Sequence, residues 1–237
     1  ATKRAFHGRT TGALSMTWTP KYRKPFQSWL PPVEHITYND IEGARATITD
    51  NTAAVVVEAV QGEGGVYPAD IEFLQALRDI CTERGAMLII DEIQTGFGRT
   101  GRWFAFEHAD IIPDIVAMGK AIGGGLPMGA VAWRDAHGQI ERSTHGSTFG
   151  GNPLVCAASI ATITTIRDEN LVQQSADNGT WLIEQLTALD LQAVREIRGQ
   201  GLMVGLELRD RVTPVLQALQ EKGVLALPAG LTVLRLL

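Results

Sequence analysis

The stretch LIIDEIQTGFGRTG, residues 88–101, decides the fold that this sequence predicts. Residues 87–90, MLII, form a short apolar run typical of a buried strand, and Asp91 and Glu92 follow it directly. A loop of Gly, Thr and Gln comes next. Two acids at the end of a buried strand indicate that a carboxylate is held at a fixed place, and the glycines leave room for a ligand beside it.

Strands and helices alternate around this stretch, which predicts an α/β protein. Residues 53–60, AAVVVEAV, are apolar and β-branched, as in a strand buried in a parallel sheet. Apolar residues then recur at helical spacing from Asp70 to Arg84, and Gly85 stands where a helix would end. This order predicts a right-handed parallel βαβ unit, which strands at 114–118 and 129–133 extend.

The second half of the chain predicts further units. Long helical patterns at 153–168 and 171–189 indicate a pair of linker helices. Residues 198–208, RGQGLMVGLEL, alternate as one strand, and a helix at 212–222 and an extended segment at 223–228 follow. We therefore expect a large domain at 1–151, linker helices at 152–190 and a small α/β domain at 191–237. The chain does not begin with Met and ends inside a predicted strand, so we expect both domains to continue outside this sequence.

Composition argues against several classes of protein. The chain has 237 residues, 45% of them hydrophobic, which is enough for a large core. Its net charge is −5 without a block of Lys or Arg, which disfavours nucleic-acid binding. No apolar run approaches the roughly 20 residues of a membrane helix, and the sequence does not open with the pattern of a signal peptide, so we expect neither feature. Cys81 and Cys156 form no disulfide framework or metal-ligand spacing, so we expect a cytoplasmic protein with no metal site.

Charged residues end three successive predicted strands: Glu58, then Asp91 with Glu92, then Lys120. Ligands bind at the carboxyl ends of parallel strands, so together these residues predict one site. For each residue alone a surface salt bridge is the favoured explanation, and Lys120 is also explained by a lysine that reaches solvent beside a glycine turn. In a site, a lysine with a lowered pKa can act as nucleophile and base. A carboxylate opposite it can keep the ring nitrogen of pyridoxal phosphate protonated.

The chain resembles the class III aminotransferases, which are pyridoxal phosphate enzymes of fold type I. Six stretches carry the resemblance in the family's order: AFHGRT at 5–10, VEAVQGEGG at 57–65, DEIQTGFGRTG at 91–101, PDIVAMGKAIGGGLPMGA at 113–130, HGSTFGGNPL at 145–154 and RGQGLMVGLEL at 198–208. The resemblance implies pyridoxal 5'-phosphate as cofactor. It also implies a mostly parallel sheet with helices on both faces, followed by part of a small C-terminal α/β domain.

The resemblance implies roles for residues around the cofactor. Lys120 would bind the cofactor aldehyde covalently and would move a proton between substrate and cofactor carbons. Asp91 would pair with the ring nitrogen, and Gln94 would hydrogen-bond the phenolic oxygen. Phe6 would stack on the ring, and His7 would border the site.

Other matching residues concern the substrate and a second subunit. Glu58 belongs to the cofactor-binding set. Arg9 would bind the α-carboxylate of the substrate with its planar guanidinium. Glu63 and Arg235 match a switch pair, in which the glutamate covers the arginine for an amine donor and releases it for a second carboxylate. Thr148 would reach the cofactor phosphate of the partner subunit, which implies a homodimer.

The stretches at 5–26 and 33–40 most resemble acetylornithine aminotransferases and relatives that act on lysine or ornithine carried by the protein LysW. The implied reaction, in arginine or lysine biosynthesis, moves an ω-amino group to 2-oxoglutarate. The alternative that the chain is a 4-aminobutyrate or other ω-amino acid transaminase stays open. So does a non-catalytic fragment, since the family's upstream phosphate-binding motif is not in this sequence. An acidic carrier protein would require basic residues at the entrance to the site. The candidates, which are also explained as a solvent-exposed charged face, are Lys3, Arg4, Lys21, Arg23 and Lys24.

Overall fold

The computed structural model describes residues 1–237 and contains two four-stranded sheets. The strands are β1 (Ala54–Glu58), β2 (Val60–Gln61), β3 (Tyr67–Pro68), β4 (Met87–Asp91), β5 (Ile115–Met118), β6 (Ala130–Trp133), β7 (Val194–Gln200), β8 (Met203–Leu208), β9 (Leu227–Ala229) and β10 (Val233–Leu236). The α-helices are α1 (Thr11–Met16), α2 (Pro20–Arg23), α3 (Ile41–Thr47), α4 (Ile71–Arg84), α5 (Pro153–Asp168), α6 (Leu171–Ala188) and α7 (Thr213–Glu221). Short 3₁₀ helices lie at Lys24–Trp29, Ala105–Ala109, Lys120–Gly123 and Asp135–His137.

The first sheet has the strand order β1, β4, β5, β6. The first three strands are parallel, and β6 pairs antiparallel with β5, so the predicted mostly parallel sheet is confirmed. Residues 53–60 are not one strand, however. The chain leaves the sheet after Glu58, and β2 pairs instead with β3 in a separate hairpin. The hydroxyl of Tyr38 donates to the carbonyl oxygens of Glu58 and Ala59, so a side chain satisfies the backbone at this break.

Helix α4 covers one face of this sheet. Its apolar residues Phe73, Leu77 and Ile80 are buried against alternate residues of β1 and β4, such as Val57 and Leu88. Each such side chain stabilises the fold by about 1.5–3 kcal/mol through burial. The helix ends as predicted at Gly85, whose φ of +68° is a left-handed conformation that glycine adopts without strain.

The second sheet is antiparallel, in the order β7, β8, β10, β9. The prediction of one strand over 198–208 was wrong, because the chain turns back at Gly201 between β7 and β8. Gly201 has a φ of +55°, and a Cβ on it would lie 2.5–2.7 Å from backbone atoms of Arg99 and Thr100. The turn therefore packs directly on the glycine-rich loop that follows β4, which alternation along a single segment cannot show.

The two faces of the second sheet pack against different partners. Leu206 and Leu234 face helices α6 and α7, while Met203 and Val233 pack against Val60 and other apolar residues around the β2–β3 hairpin. This second contact joins the hairpin to the second sheet. None of the helices is long and apolar enough to cross a membrane. The division into domains at residues 151 and 190 stays a prediction.

Candidate active site

The polar ends of β1, β4 and β5 meet at one cavity. Glu58 and Asp91 are direct partners in the register of β1 and β4, and both are buried. With Lys120, which follows β5, they line a cavity of about 90 Å³. The complete lining is Phe6, His7, Gly8, Glu58, Val60, Asp91, Ile93, Gln94 and Lys120. The structure thus brings together six of the ten residues to which the family resemblance gave a place in the site or at its border, namely Phe6, His7, Glu58, Asp91, Gln94 and Lys120.

A wider groove of about 1100 Å³ is also lined in part by His7, Asp91 and Ile93. Much of the lining of this groove comes from residues 30–36 and 47–56, and many of these residues are apolar. The smaller cavity is the better candidate for chemistry, since an amine and two buried carboxyl groups converge on it.

Asp91 is held from two sides but retains free acceptor capacity. One oxygen, Oδ2, lies 2.8 Å from Nδ1 of His7, and the other, Oδ1, accepts the backbone N–H of Ile93 at 3.1 Å. A carboxylate can only accept, so Nδ1 of His7 carries the proton and donates it. A carboxylate has about four lone-pair sites, and Asp91 can therefore accept a further hydrogen bond from a ligand in the cavity.

Glu58 anchors Phe6, the residue that precedes His7 in the N-terminal segment. Its Oε2 accepts the backbone N–H of Phe6 at 3.1 Å. Burial and the nearby charge of Asp91 raise the pKa of Glu58 to about 8. Carboxyl groups at two adjacent strand ends therefore hold two consecutive residues, Phe6 and His7, over the cavity.

Lys120 supplies the amine of the site. Its φ of +45° is unusual for a residue other than glycine, and such positions are concentrated at functional sites. The residue as a whole is exposed, yet enough protein surrounds its amine that desolvation lowers the pKa. Asp91 and other nearby carboxylates oppose this decrease, while the positive charge of Arg235 adds to it.

Glu92, the second acid of the DE pair, turns away from the cavity. It is completely buried and accepts hydrogen bonds from the hydroxyl of Thr95 and from the backbone N–H of Phe106 at 3.0 Å. Burial raises the pKa of Glu92. Its function is therefore to tie the loop after β4 to the 3₁₀ helix at Ala105–Ala109. Sequence position alone does not distinguish it from Asp91.

Arg235 connects two other predicted site residues. Its Nη2 lies 2.8 Å from Oε1 of Glu63, and its Nη1 donates to Oε1 of Gln94 at 3.0 Å. Arg235 is buried in β10, whereas the side chain of Glu63 is 44% exposed. The predicted pair is thus formed, and its glutamate is the member with freedom to move.

Arg9 lies outside the cavity lining, next to aromatic residues. Its guanidinium carbon is 3.6 Å from the centroid of the Tyr22 ring and 5.9 Å from that of Phe6. Tyr22 belongs to α2 and was not expected at the site. No spacing signal links it to Arg9, 13 residues earlier, and only the packing of α2 on this segment shows the contact.

Thr148 is not brought to the cavity within this chain. It lies in a fully exposed segment at 141–150, ahead of helix α5. That helix has exposed apolar side chains, among them Leu154 and Ile160, and Phe149 before it is 81% exposed. This surface has no cover within the chain, as expected of an interface with another protein.

The side chains around the cavity fit pyridoxal phosphate. The cofactor has an aldehyde, a basic ring nitrogen, a phenolic oxygen and a flat ring. The lining offers an amine at Lys120, a carboxylate at Asp91, an amide at Gln94 and an aromatic ring at Phe6. Each group has the chemistry that one part of the cofactor requires.

Comparison with known proteins gives consistent matches. The family described as aminotransferase class-III matches residues 1–237. The [LysW]-aminoadipate semialdehyde/glutamate semialdehyde transaminase of Sulfolobus acidocaldarius is 50% identical over 242 residues, covering 100% of this chain and 62% of the relative. The acetylornithine aminotransferase of Gloeobacter violaceus is 46% identical, covering 98% of this chain and 59% of the relative.

A solved ornithine aminotransferase from Toxoplasma gondii, with pyridoxal phosphate at partial occupancy in its active site, has a TM-score of 0.93 to this structure. It is 33% identical and covers 99% of this chain and 57% of that one. The likeness confirms fold type I. The chain spans about three fifths of the length of these relatives.

Proposed function

Because this chain belongs to the class III aminotransferase family, we propose that it carries the catalytic lysine and cofactor-binding carboxylate of a pyridoxal-phosphate-dependent aminotransferase. The observation that carries this proposal is the convergence of Lys120 and the buried Asp91 on one cavity. The two groups would have separate tasks in transamination: an amine that binds the cofactor and moves a proton, and a carboxylate that pairs with the ring nitrogen.

The cavity residues would hold the cofactor through four contacts. Lys120 would bind its aldehyde, Asp91 its protonated ring nitrogen, Gln94 its phenolic oxygen and Phe6 one ring face. Glu58 would act indirectly, because it fixes the backbone of Phe6. When bound, pyridoxal phosphate withdraws electrons from the substrate carbon that carries the amine.

Lys120 would move the proton that this electron withdrawal loosens. Its lowered pKa leaves a larger fraction of the amine neutral near pH 7, so Nζ can accept the proton from the substrate carbon. Asp91 would accept the hydrogen bond of the ring nitrogen, while Nδ1 of His7, 2.8 Å from its Oδ2, holds the carboxylate in place.

Substrates would be recognised by arginines on two sides of the cavity. Arg9 would bind the α-carboxylate, and its ring contact with Tyr22 holds the guanidinium near Phe6. Arg235 would bind the second carboxylate of 2-oxoglutarate or glutamate after the exposed Glu63 moves away. Two differently charged substrates could then use one pocket in turn.

For the amino donor we propose N-acetylornithine, or lysine or ornithine attached to LysW, with 2-oxoglutarate as acceptor. The relatives at 46–50% identity have both names, so similarity supports this group of donors in arginine and lysine biosynthesis. An acidic carrier would find positive charge near Arg9, since the exposed Lys21 and Lys24 lie on or directly after α2, the helix that carries Tyr22.

We further propose that the enzyme is a homodimer. The exposed apolar surface of α5 supports a subunit interface, and Thr148 lies in the exposed segment just before it. In that position Thr148 would contribute to the cofactor phosphate site of the partner rather than to its own.

The proposal is tested by adding pyridoxal phosphate to the purified protein, recording its visible spectrum, reducing with borohydride and mapping the labelled peptide. We expect a visible band and label on Lys120. Donor profiling with acetylornithine, carrier-bound lysine and 4-aminobutyrate then identifies the substrate. Label on another lysine, or no band, would contradict the assignment and favour a non-catalytic role.

A further inference from the structure

We propose that Arg235 is also a positioning residue for Gln94: it binds the amide oxygen of Gln94 and so turns the amide NH₂ toward the cofactor cavity. This inference rests on the proposed function. It gives Arg235 a second task beside substrate recognition, and it links the carboxylate pocket to the cofactor's phenolic oxygen.

The chemistry of the contact fixes the orientation of the amide. A guanidinium has five N–H donors and no acceptor, so the atom of Gln94 that lies 3.0 Å from Nη1 must be its oxygen. The NH₂ group then points away from Arg235. Gln94 lines the cavity, and this is the side chain's only hydrogen bond within the chain. Without Arg235, nothing in the chain would select one amide orientation over the other.

Gly62 confines the same amide from another direction. A Cβ at Gly62 would lie 2.7 Å from the amide carbon of Gln94 and 2.8 Å from its nitrogen, and it would also contact the oxygen. Gly62 is buried beside Gln61 in the turn after β2. The amide therefore rests against glycine backbone, and a single added methyl group would displace it without changing any charge.

Arg235 is built to stay in place while its other partner moves. Its backbone lies in β10 between β8 and β9, opposite Gly205 and Leu227. Its side chain is 6% exposed, against 44% for Glu63. When Glu63 yields to a substrate carboxylate, Nη1 can keep its bond to Gln94. The cofactor contact would then persist through both halves of the reaction.

The test is a pH titration of the visible absorption of the natural full-length protein with the cofactor bound. It compares the wild type with Gln94→Leu, Gly62→Ala and Arg235→Lys. A donor to the phenolic oxygen favours the deprotonated form of the lysine-bound cofactor, so its loss raises the pKa of the chromophore. We expect about one unit, a tenfold change, for Gln94→Leu. Gly62→Ala should give a shift in the same direction.

Arg235→Lys keeps the positive charge but cannot hold Glu63 and Gln94 at once with a planar fork. We expect it to raise the chromophore pKa in wild type and to have no further effect in Gln94→Leu, because the two changes remove the same hydrogen bond. Equal shifts in both backgrounds would show that Arg235 acts on the chromophore independently of Gln94 and would overturn the proposal. So would an unchanged pKa in Gly62→Ala.

Gly12→Ala is the matched control, because its added methyl group would meet nothing within 4 Å. It should leave the chromophore pKa unchanged. Absence of a visible band in wild type would contradict the proposed function itself, whereas a normal band with additive shifts would contradict only the role of Arg235.

Discussion

Two buried aspartates lie at opposite ends of the first sheet, and they differ in how completely the protein surrounds them. Asp114, just before β5, accepts hydrogen bonds from the N–H of Leu88 at 2.8 Å, from Arg78 at 2.7 Å and from His137 at 2.9 Å. Asp91, at the end of β4, has one donor for each oxygen and faces a cavity. A surrounded carboxylate stabilises the fold, and an incompletely surrounded one can bind a ligand.

The pKa shifts around Asp114 and around the cavity follow from the same difference. Burial alone would raise the pKa of Asp114, but hydrogen bonds from Leu88, Arg78 and His137 outweigh it and lower the pKa. Around the cavity, by contrast, burial dominates at Glu58 and Lys120 and shifts both groups toward their neutral forms. Ionisable groups whose pKa is shifted by burial in a cavity are typical of active sites.

The largest effect is expected at the amine that Asp91 faces across the cavity. Lys120→Ala removes both the covalent link to the cofactor and the group that moves the proton. Turnover should fall by about 10⁴-fold or more, and borohydride should no longer label the chain. The control is Lys222→Ala, an exposed lysine after α7. Retained turnover in Lys120→Ala would refute the central assignment.

The aspartate comparison is tested directly by Asp91→Asn and Asp114→Asn. We expect Asp91→Asn to fold normally and to lose roughly 3 kcal/mol of transition-state stabilisation, a rate decrease of more than 100-fold. Asp114→Asn should instead lower the free energy of unfolding by about 3 kcal/mol and leave kcat nearly unchanged. Chemical denaturation and steady-state kinetics of both variants measure this. Similar effects of the two substitutions on rate would erase the distinction.

Glu58 provides a pH-dependent test of the cavity end. Its folded pKa of about 8 lies above the ordinary value of 4.5, so the folded state binds more protons between these values. Its contribution to the free energy of unfolding therefore falls as pH rises from 4.5 to 8. Glu58→Gln removes this dependence. The free energy of unfolding of the variant, relative to that of the wild type, should therefore be higher at pH 8 than at pH 5 by on the order of 3 kcal/mol.

Denaturation at both pH values, for wild type and Glu58→Gln, measures the difference. Glu207→Gln serves as a contrast, because hydrogen bonding to Arg198 lowers the pKa of Glu207. Its stabilising effect is present above the unfolded pKa and is lost as pH falls through the folded pKa. A pH-independent effect of Glu58→Gln would mean that the carboxyl group titrates normally.

The smallest effect is expected outside the cavity, at Tyr22. Tyr22→Leu removes the ring against which Arg9 rests and should weaken binding of both substrates by about 0.5–1 kcal/mol, or two- to fivefold in KM. Tyr22→Phe keeps the ring face and should change little. Kinetics with each substrate varied in turn distinguish these outcomes; a loss confined to one substrate would argue against a shared α-carboxylate site at Arg9.

The sequence predicted most of the first sheet because its strands are short apolar runs and the apolar residues of α4 recur at helical spacing. The end of α4 at Gly85 was predictable for the same local reason. The break after Glu58 and the turn at Gly201 were not. Both depend on contacts with distant residues, Tyr38 in one case and Arg99 with Thr100 in the other.

The sequence by itself determined the chemical groups of the site and their attachment to strand ends, since the order of apolar and charged residues carries that information. The tertiary structure decided further contacts that the order of residues does not show. It turned Asp91 toward the cavity and Glu92 into the interior, placed His7 on Asp91, and brought Arg235 to Gln94 across 141 residues. The physical reason is that burial and hydrogen bonding between distant segments depend on how those segments pack, which no local pattern encodes.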